Sequence, residues 1–278
     1  MAEPRGVWAA VVSIRVGFGA LVAVFLHEQV TGAMNLRTAD VLQPRNLHRD
    51  PPITPAGVLL RYPWTLPAIV VLFAGMAVAA SVANGALLRV WDEPVRSWVS
   101  GHRTDALDSF FLYVTRLGSW QVVVIGLVVL LALAWRVCPG MAMLLIAATL
   151  ARPVCEWLIK TGVGRDRPSV GALVDSAGPS FPSGHVMAAI ALWGLVPPIV
   201  ALVTHRRTLW WVATVVSGTI IVLVAASRVY MGVHWLSDVI GALLFGAVFL
   251  LVIERLGDIS HRRYPCSVYF EPSAPSRS

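Results

Sequence analysis

Seven apolar runs punctuate the chain, at 7–26, 65–90, 119–136, 140–159, 186–204, 209–226 and 237–254. A helix of roughly 20 residues crosses the hydrocarbon layer of a bilayer, and these runs have that reach. Six of them read as transmembrane helices. The run 7–26 carries Arg15 at its middle, which leaves both a membrane span and an interfacial helix open. No small-residue cleavage site follows it cleanly, so it is read as a retained helix. The predicted fold is all-α, a polytopic membrane protein with a six-helix transmembrane bundle as its core and 7–26 as a candidate additional N-terminal helix.

The intervals between the runs divide the chain further. Residues 27–64 include QPRNLHRDPPITP, a polar, proline-bearing loop. Residues 91–118 begin WDEPVRSWVSGHRTDALDSFF, a mixture of charges and aromatics suited to an amphipathic helix on a membrane surface. The expected organisation is a hydrophobic segment and loop over 1–64, a transmembrane domain over 65–256 and a cytoplasmic tail over 257–278.

Composition agrees with the pattern. With 57% hydrophobic and 13% charged residues and a mean hydropathy of +0.72, the chain is not built for a soluble surface. The formal charge of +7 would suggest nucleic acid in a soluble protein, but these arginines lie mostly between apolar runs. Lipid headgroups and membrane topology account for them better, and no nucleic-acid partner is expected. Cys138, Cys155 and Cys266 show neither paired spacing nor a CxxC motif and read as unpaired. Trp64, Trp91, Trp98, Trp120, Trp157, Trp210, Trp211 and Trp235 mostly sit at predicted helix ends and read as an interfacial belt.

Charge also orients the bundle. The linker THRRT at 204–208 and the tail arginines Arg255, Arg262 and Arg263 belong on the cytoplasmic side by the positive-inside rule. Helix parity then puts 160–185 and 227–236 together on the outer side of the cell membrane. Those two turns hold unusual chemistry. KTGVGRDRP begins with Lys160, the one lysine among 22 basic residues, and includes Arg165 and Arg167. FPSGH places Ser183, Gly184 and His185 at the start of an apolar helix, where unpaired first-turn N–H groups favour anions. SRVYMGVHWLSD contributes Arg228, with His234 and Asp238 four residues apart on one helix face.

Taken singly, each segment has a plain structural explanation: a helix-end cation, an N-cap serine, a capping aspartate. Together they make a different proposition. Cations beside backbone donors select a phosphate-like anion. A carboxylate that holds one imidazole nitrogen raises the basicity of the other, and a second histidine can protonate a leaving oxygen.

The segments KTGVGRDRP, PSGH and SRVYMGVHWLSD, in this order and spacing, resemble the three signature motifs of the type 2 phosphatidic acid phosphatase superfamily, the lipid phosphate phosphatases. The resemblance covers roughly 160–240 by motif and 65–255 by helix arrangement. It implies that His234 is a nucleophile forming a phosphohistidine, that Asp238 orients it, and that His185 is the general acid for the leaving alcohol. Lys160, Arg167, Arg228, Ser183 and the amide of Gly184 would hold the phosphate, without metal or other cofactor. The implied activity is hydrolysis of a lipid phosphate or diphosphate presented from the bilayer. Polyprenyl diphosphate, phosphatidic acid and phosphatidylglycerophosphate are the candidate substrates. The alternatives are transfer of the phosphoryl group to an acceptor other than water, and a non-catalytic lipid-binding scaffold. Arg96, Arg103 and Arg116 are further candidates for headgroup contacts.

Overall fold

The computed structural model describes residues 65–168, 171–204 and 206–263, so the expectations for 7–26, for the loop 27–64 and for the last 15 residues fall outside it. Among the described residues the order is α1 (Thr65–Ser81), a 3-10 turn (Val82–Gly85), α2 (Ala86–Gly101), α3 (Asp105–Val114) and a second 3-10 turn (Thr115–Gly118). There follow α4 (Trp120–Val137), α5 (Pro139–Val163), α6 (Gly184–Trp193), α7 (Val196–Thr204), α8 (Arg207–Tyr230) and α9 (Leu236–Arg263). Trp120–Val137, Pro139–Val163, Gly184–Thr204, Arg207–Tyr230 and Leu236–Gly257 are each long and apolar enough to cross a bilayer. Val124, Ile125, Val128, Val215 and Val222 are half-exposed or more on these helices, as lipid-facing residues of a multi-pass membrane protein should be.

The breaks between helices have local causes. Pro139 pushes the residue before it out of the helical region, and Cys138 duly has φ −151° and ψ 93° between α4 and α5. Gly164, at φ 63°, closes α5 with its N–H donating to the carbonyl of Lys160 at 2.9 Å. The run 186–204 divides at Gly194 and Leu195, just before Pro197 and Pro198, which cannot donate to a continuing helix.

Two expectations are corrected. The run 65–90 is not one straight span, because Asn84 (φ 56°) and Gly85 (φ 75°) turn the chain and set α1 and α2 at 90°. Counted as one bent unit, the pair brings the spans to six. Cys155 is a free thiol, but Cys138 is disulfide-bonded.

The segment Gly184–Thr204 is the centre of the bundle, with 67% of it buried against 22% for Trp120–Val137. Val123, Leu130, Leu145, Leu192, Ile199 and Ile253 form the largest apolar cluster around it. Phe73 ties α1 to α9, its ring centroid 5.6 Å from that of Phe245. Lipid is as apolar as leucine, so helices here associate by fit more than by escape from water, and small residues set the closest approaches. At Gly118 a Cβ would lie 2.8 Å from the backbone oxygen of His185 and from Cγ1 of Val224.

That contact generates a test. Gly118→Ala drives a methyl into backbone that cannot swing aside and should cost about 1–3 kcal/mol by overpacking. At Gly218, on α8, a Cβ meets nothing within 4 Å. Melting in detergent should therefore fall by several degrees for Gly118→Ala, while Gly218→Ala melts at or slightly above the wild-type temperature.

Candidate active site

Four helix ends converge on one cleft: the end of α5, the start of α6, the end of α8 and the start of α9. The loop between α5 and α6 covers them. The cavity they enclose measures about 420 Å³ and is lined by Lys160, Arg167, Gly184, His185, Arg228 and His234, among others. Six of the eight sequence-predicted residues thus meet at one surface. The other two, Ser183 and Asp238, are fully buried immediately behind it.

Each cation is held differently. Lys160 Nζ donates to the carbonyl of Pro179 at 3.0 Å and lies 3.9 Å from Glu156 Oε1. Arg167 donates to the carbonyls of Gly178 at 2.9 Å and Val233 at 2.8 Å, with the carbonyl of Ala177 at 3.2 Å. Burial pulls its guanidinium below the usual value, and the carboxylate of Asp238 opposes that effect. Arg228 donates through one terminal nitrogen to Thr115 Oγ1 at 2.9 Å, while its buried Nε has no hydrogen-bond partner. Ser183 occupies the N-cap position of α6 without making the side-chain cap bond, and its buried Oγ is also without a partner. Arginines satisfied by neutral carbonyl and hydroxyl oxygens, together with unspent polar atoms beside a helix N-terminus, form an environment suited to an oxyanion.

The histidine at the start of α9 has a defined surrounding. His234 Nε2 lies 3.2 Å from an Arg167 nitrogen, which can only donate, so Nε2 carries the lone pair and Nδ1 the proton. Nδ1 faces Asp238 Oδ2 at 3.6 Å, beyond an ordinary hydrogen bond. The carboxylate is committed elsewhere: Oδ2 accepts from the Trp235 backbone N–H at 2.9 Å and Oδ1 from Arg165 at 2.6 Å. Asp238 therefore caps the first turn of its own helix and faces the imidazole as well. Burial depresses the His234 pKa to about 4, partly offset by Asp238 and reinforced by Arg228 and Arg167.

Sequence reasoning missed several contributors. Arg165 stands in the first motif but was not assigned to the site; it is fully buried, 2.7 Å from Asp92 Oδ2 and 2.6 Å from Asp238 Oδ1. Trp235 is no belt residue. Its ring lies under Arg165, 5.6 Å from centroid to Cζ, and its indole N–H donates to the carbonyl of Asp166. Glu156 lines the cavity, bridged to Arg152 at 2.6 Å, and packs so closely on the backbone of Gly184 that a Cβ there would collide with it. Helical spacing from Lys160 could have flagged Glu156, one turn earlier on the same face. Arg96, Arg103 and Arg116 are not among the lining residues. Arg103 instead braces two loops, donating to the carbonyls of Gly171 and Tyr230 at 2.5 and 2.7 Å.

Comparison with known proteins bears on this arrangement. Residues 141–258 match the model of the PAP2 superfamily, the family that the motifs resemble. Phosphatidylglycerophosphatase B of Bacillus subtilis (strain 168) is 33% identical over 123 residues, 41% of this chain and 56% of that protein. The match thus spans little more than half the length of that relative. A crystal structure of a transmembrane PAP2 type phosphatidylglycerolphosphate phosphatase from Bacillus subtilis superposes with a TM-score of 0.61 at 22% identity. That alignment covers 70% of this chain and 97% of the other, and shows the same fold. Aquifex aeolicus LpxE gives a TM-score of 0.47 at 24% identity, over 59% of this chain and 94% of its own.

The burial of a neutral His234 has a measurable consequence. An unfolded histidine protonates near pH 6.5, whereas the folded one waits until about pH 4. Between these values the unfolded state binds more protons, so stability present above pH 6.5 is lost as pH falls towards 4, by up to about 1.4 kcal/mol per unit. In detergent, wild-type melting should drop over this window, and His234→Gln should drop visibly less. Parallel curves would contradict the buried neutral imidazole.

Proposed function

We propose that the chain is a metal-independent phosphatase acting on a phosphorylated membrane lipid. The observation that carries this reading is the convergence of Lys160, Arg167, Arg228 and two histidines on one cavity, backed by the unpartnered Ser183 Oγ. An anion rich in acceptor oxygens would satisfy these donors with stronger, charge-assisted bonds than the neutral oxygens that now accept from them.

In the proposed mechanism His234 Nε2 attacks phosphorus and the bond from phosphorus to the lipid oxygen breaks. His185 donates its proton to the departing oxygen, and the phosphohistidine carries the phosphoryl group. Arg167, Lys160, Arg228 and the amide of Gly184 take up charge on the equatorial oxygens as it develops. His185, now neutral, accepts a proton from water, whose oxygen attacks phosphorus. The N–P bond breaks, inorganic phosphate leaves and His234 is restored. Asp238 stabilises the cationic imidazole formed in between.

The helix arrangement supports a lipid substrate, since the cleft opens at the ends of four apolar helices and acyl chains could remain in the bilayer. Arg206 and Arg207 at the start of α8 and Arg255, Arg262 and Arg263 near the end of α9 lie at the opposite helix ends, which supports an extracytoplasmic site in the cell membrane. The relative's name makes phosphatidylglycerophosphate the first substrate to try, ahead of phosphatidic acid and polyprenyl diphosphate.

The test is phosphate release by the detergent-purified protein across those three lipids, with and without EDTA. Release that resists EDTA and falls by at least about a thousandfold in His234→Ala is expected, the scale for loss of a covalent nucleophile. Release abolished by EDTA would overturn the metal-free reading. A phosphorylated acceptor in place of free phosphate would identify a transferase.

A further inference from the structure

We infer that Asp92, on α2 and outside the matched PAP2 region, is a positioning residue for the proposed reaction: through Arg165 and Ser237 it sets the orientation and net charge of Asp238 against His234. The inference rests on the phosphatase reading for its catalytic consequence, and on geometry for everything else.

Among the described residues of α2, a carboxylate is the one buried side chain, while Trp91 beside it is half exposed. An amphipathic helix ordinarily buries its apolar residues and exposes its charges, so this inversion needs a reason. The contacts supply it. Asp92 Oδ1 accepts from the backbone N–H of Ser237 at 2.8 Å. Its Oδ2 accepts from Ser237 Oγ at 2.6 Å and from Arg165 at 2.7 Å. The other terminal nitrogen of Arg165 donates to Asp238 Oδ1 and to Ser237 Oγ, both at 2.6 Å. A residue of α2 therefore caps the first turn of α9, where partial positive charge favours a carboxylate.

The charge count matters as much as the contacts. Asp92, Arg165 and Asp238 are enclosed without solvent, two anions around one cation. The group carries one net negative charge in a medium that screens it poorly. That surplus faces His234, which becomes cationic when it is phosphorylated. Neutralising Asp92 would leave Arg165 to balance Asp238 alone, with the surplus gone. The other charges acting on His234 are Arg167 from the loop and Arg228 from α8, both positive, with Asp238 the one carboxylate beside it. Lys160 from α5 and His185 from α6 share the cavity, as do the carboxylates Glu156, bridged to Arg152, and Asp175. The 3.6 Å gap between Asp238 and His234 would also widen if Asp238 turned fully to Arg165.

The test compares Asp92→Asn, Asp92→Glu and the charge-balanced pair Asp92→Asn/Arg165→Gln in the full-length detergent-purified protein. Two readouts are followed: kcat and KM, and the titration of the His234 imidazole by NMR of histidine-labelled protein, assigned with His234→Gln. Asp92→Asn should lower kcat roughly tenfold, as second-layer partners of a reactive imidazole do, with KM within about twofold. His234 should titrate about one unit lower, the counterpart of a tenfold change. Asp92→Glu should recover much of both. The double variant regains one net negative charge, so its His234 should titrate at or above the wild-type pH, which keeps the test available if Asp92→Asn fails to fold. Loss of thermal stability alone, with kcat and the titration unchanged, would overturn the inference. So would a double variant titrating below wild type. A wild-type protein that releases no phosphate would count against the phosphatase reading only, because the titration needs no substrate.

Discussion

A guanidinium sealed away from water survives only where acids face it, and Arg165 meets that condition twice. Asp92 and Asp238 bind its two terminal nitrogens from opposite sides, and Trp235 stacks over it. Removing Arg165 would strand two buried carboxylates, and breaking a buried pair in this way costs about 3–5 kcal/mol. The arrangement therefore acts as a geometric requirement on three segments at once: α2, the loop after α5, and the start of α9. It also explains the bend after α1. Gly85, at φ 75°, lies so close to Arg165 that a Cβ would stand 2.9 Å from its Cζ, so the chain turns where the guanidinium passes.

From that anchor the rest of the cleft is fixed over short distances. Arg167 is two residues further along the loop, and its fork reaches the carbonyl of Val233 and the ring of His234. Asp166, between the two arginines, is clamped to Asn84 through side chain and backbone. The central helix α6 brings His185 to the same place, with Gly118 and Val224 closing against it without room for a methyl. Rigid packing on the lipid-embedded side thus supports a polar surface whose cations are bonded to replaceable carbonyls. A phosphate entering the cavity would exchange these bonds for stronger, charge-assisted ones.

Much of this was legible in the sequence, for identifiable reasons. Apolar runs located α4, α5, α8 and α9 closely because a bilayer demands an unbroken length. Motif spacing gathered Lys160, Arg167, Gly184, His185, Arg228 and His234 at one cavity, since all stand at helix ends, or in the turns joining them, that parity puts on one side. What sequence did not disclose depends on partners distant along the chain. Asp92 read as one charge of an amphipathic surface helix, because periodicity names a face and not what covers it. Ser183 read as an N-cap, yet its hydroxyl makes no cap bond. Asp238 read as the direct holder of His234, but its oxygens are spent on Trp235 and Arg165. Trp235 sat near a helix end and was counted with the belt, where only its contact with Arg165 distinguishes it.

The central claim is that His234 becomes covalently phosphorylated, and the most direct measurement is rapid quenching of the protein with radiolabelled phosphatidylglycerophosphate, followed by peptide mapping under alkaline conditions that preserve phosphohistidine. The account predicts an acid-labile label on the peptide containing His234, formed and lost within the turnover time and persisting longer in His185→Ala. Label on another residue, or turnover by a protein that never acquires label while the quench demonstrably preserves phosphohistidine, would contradict it.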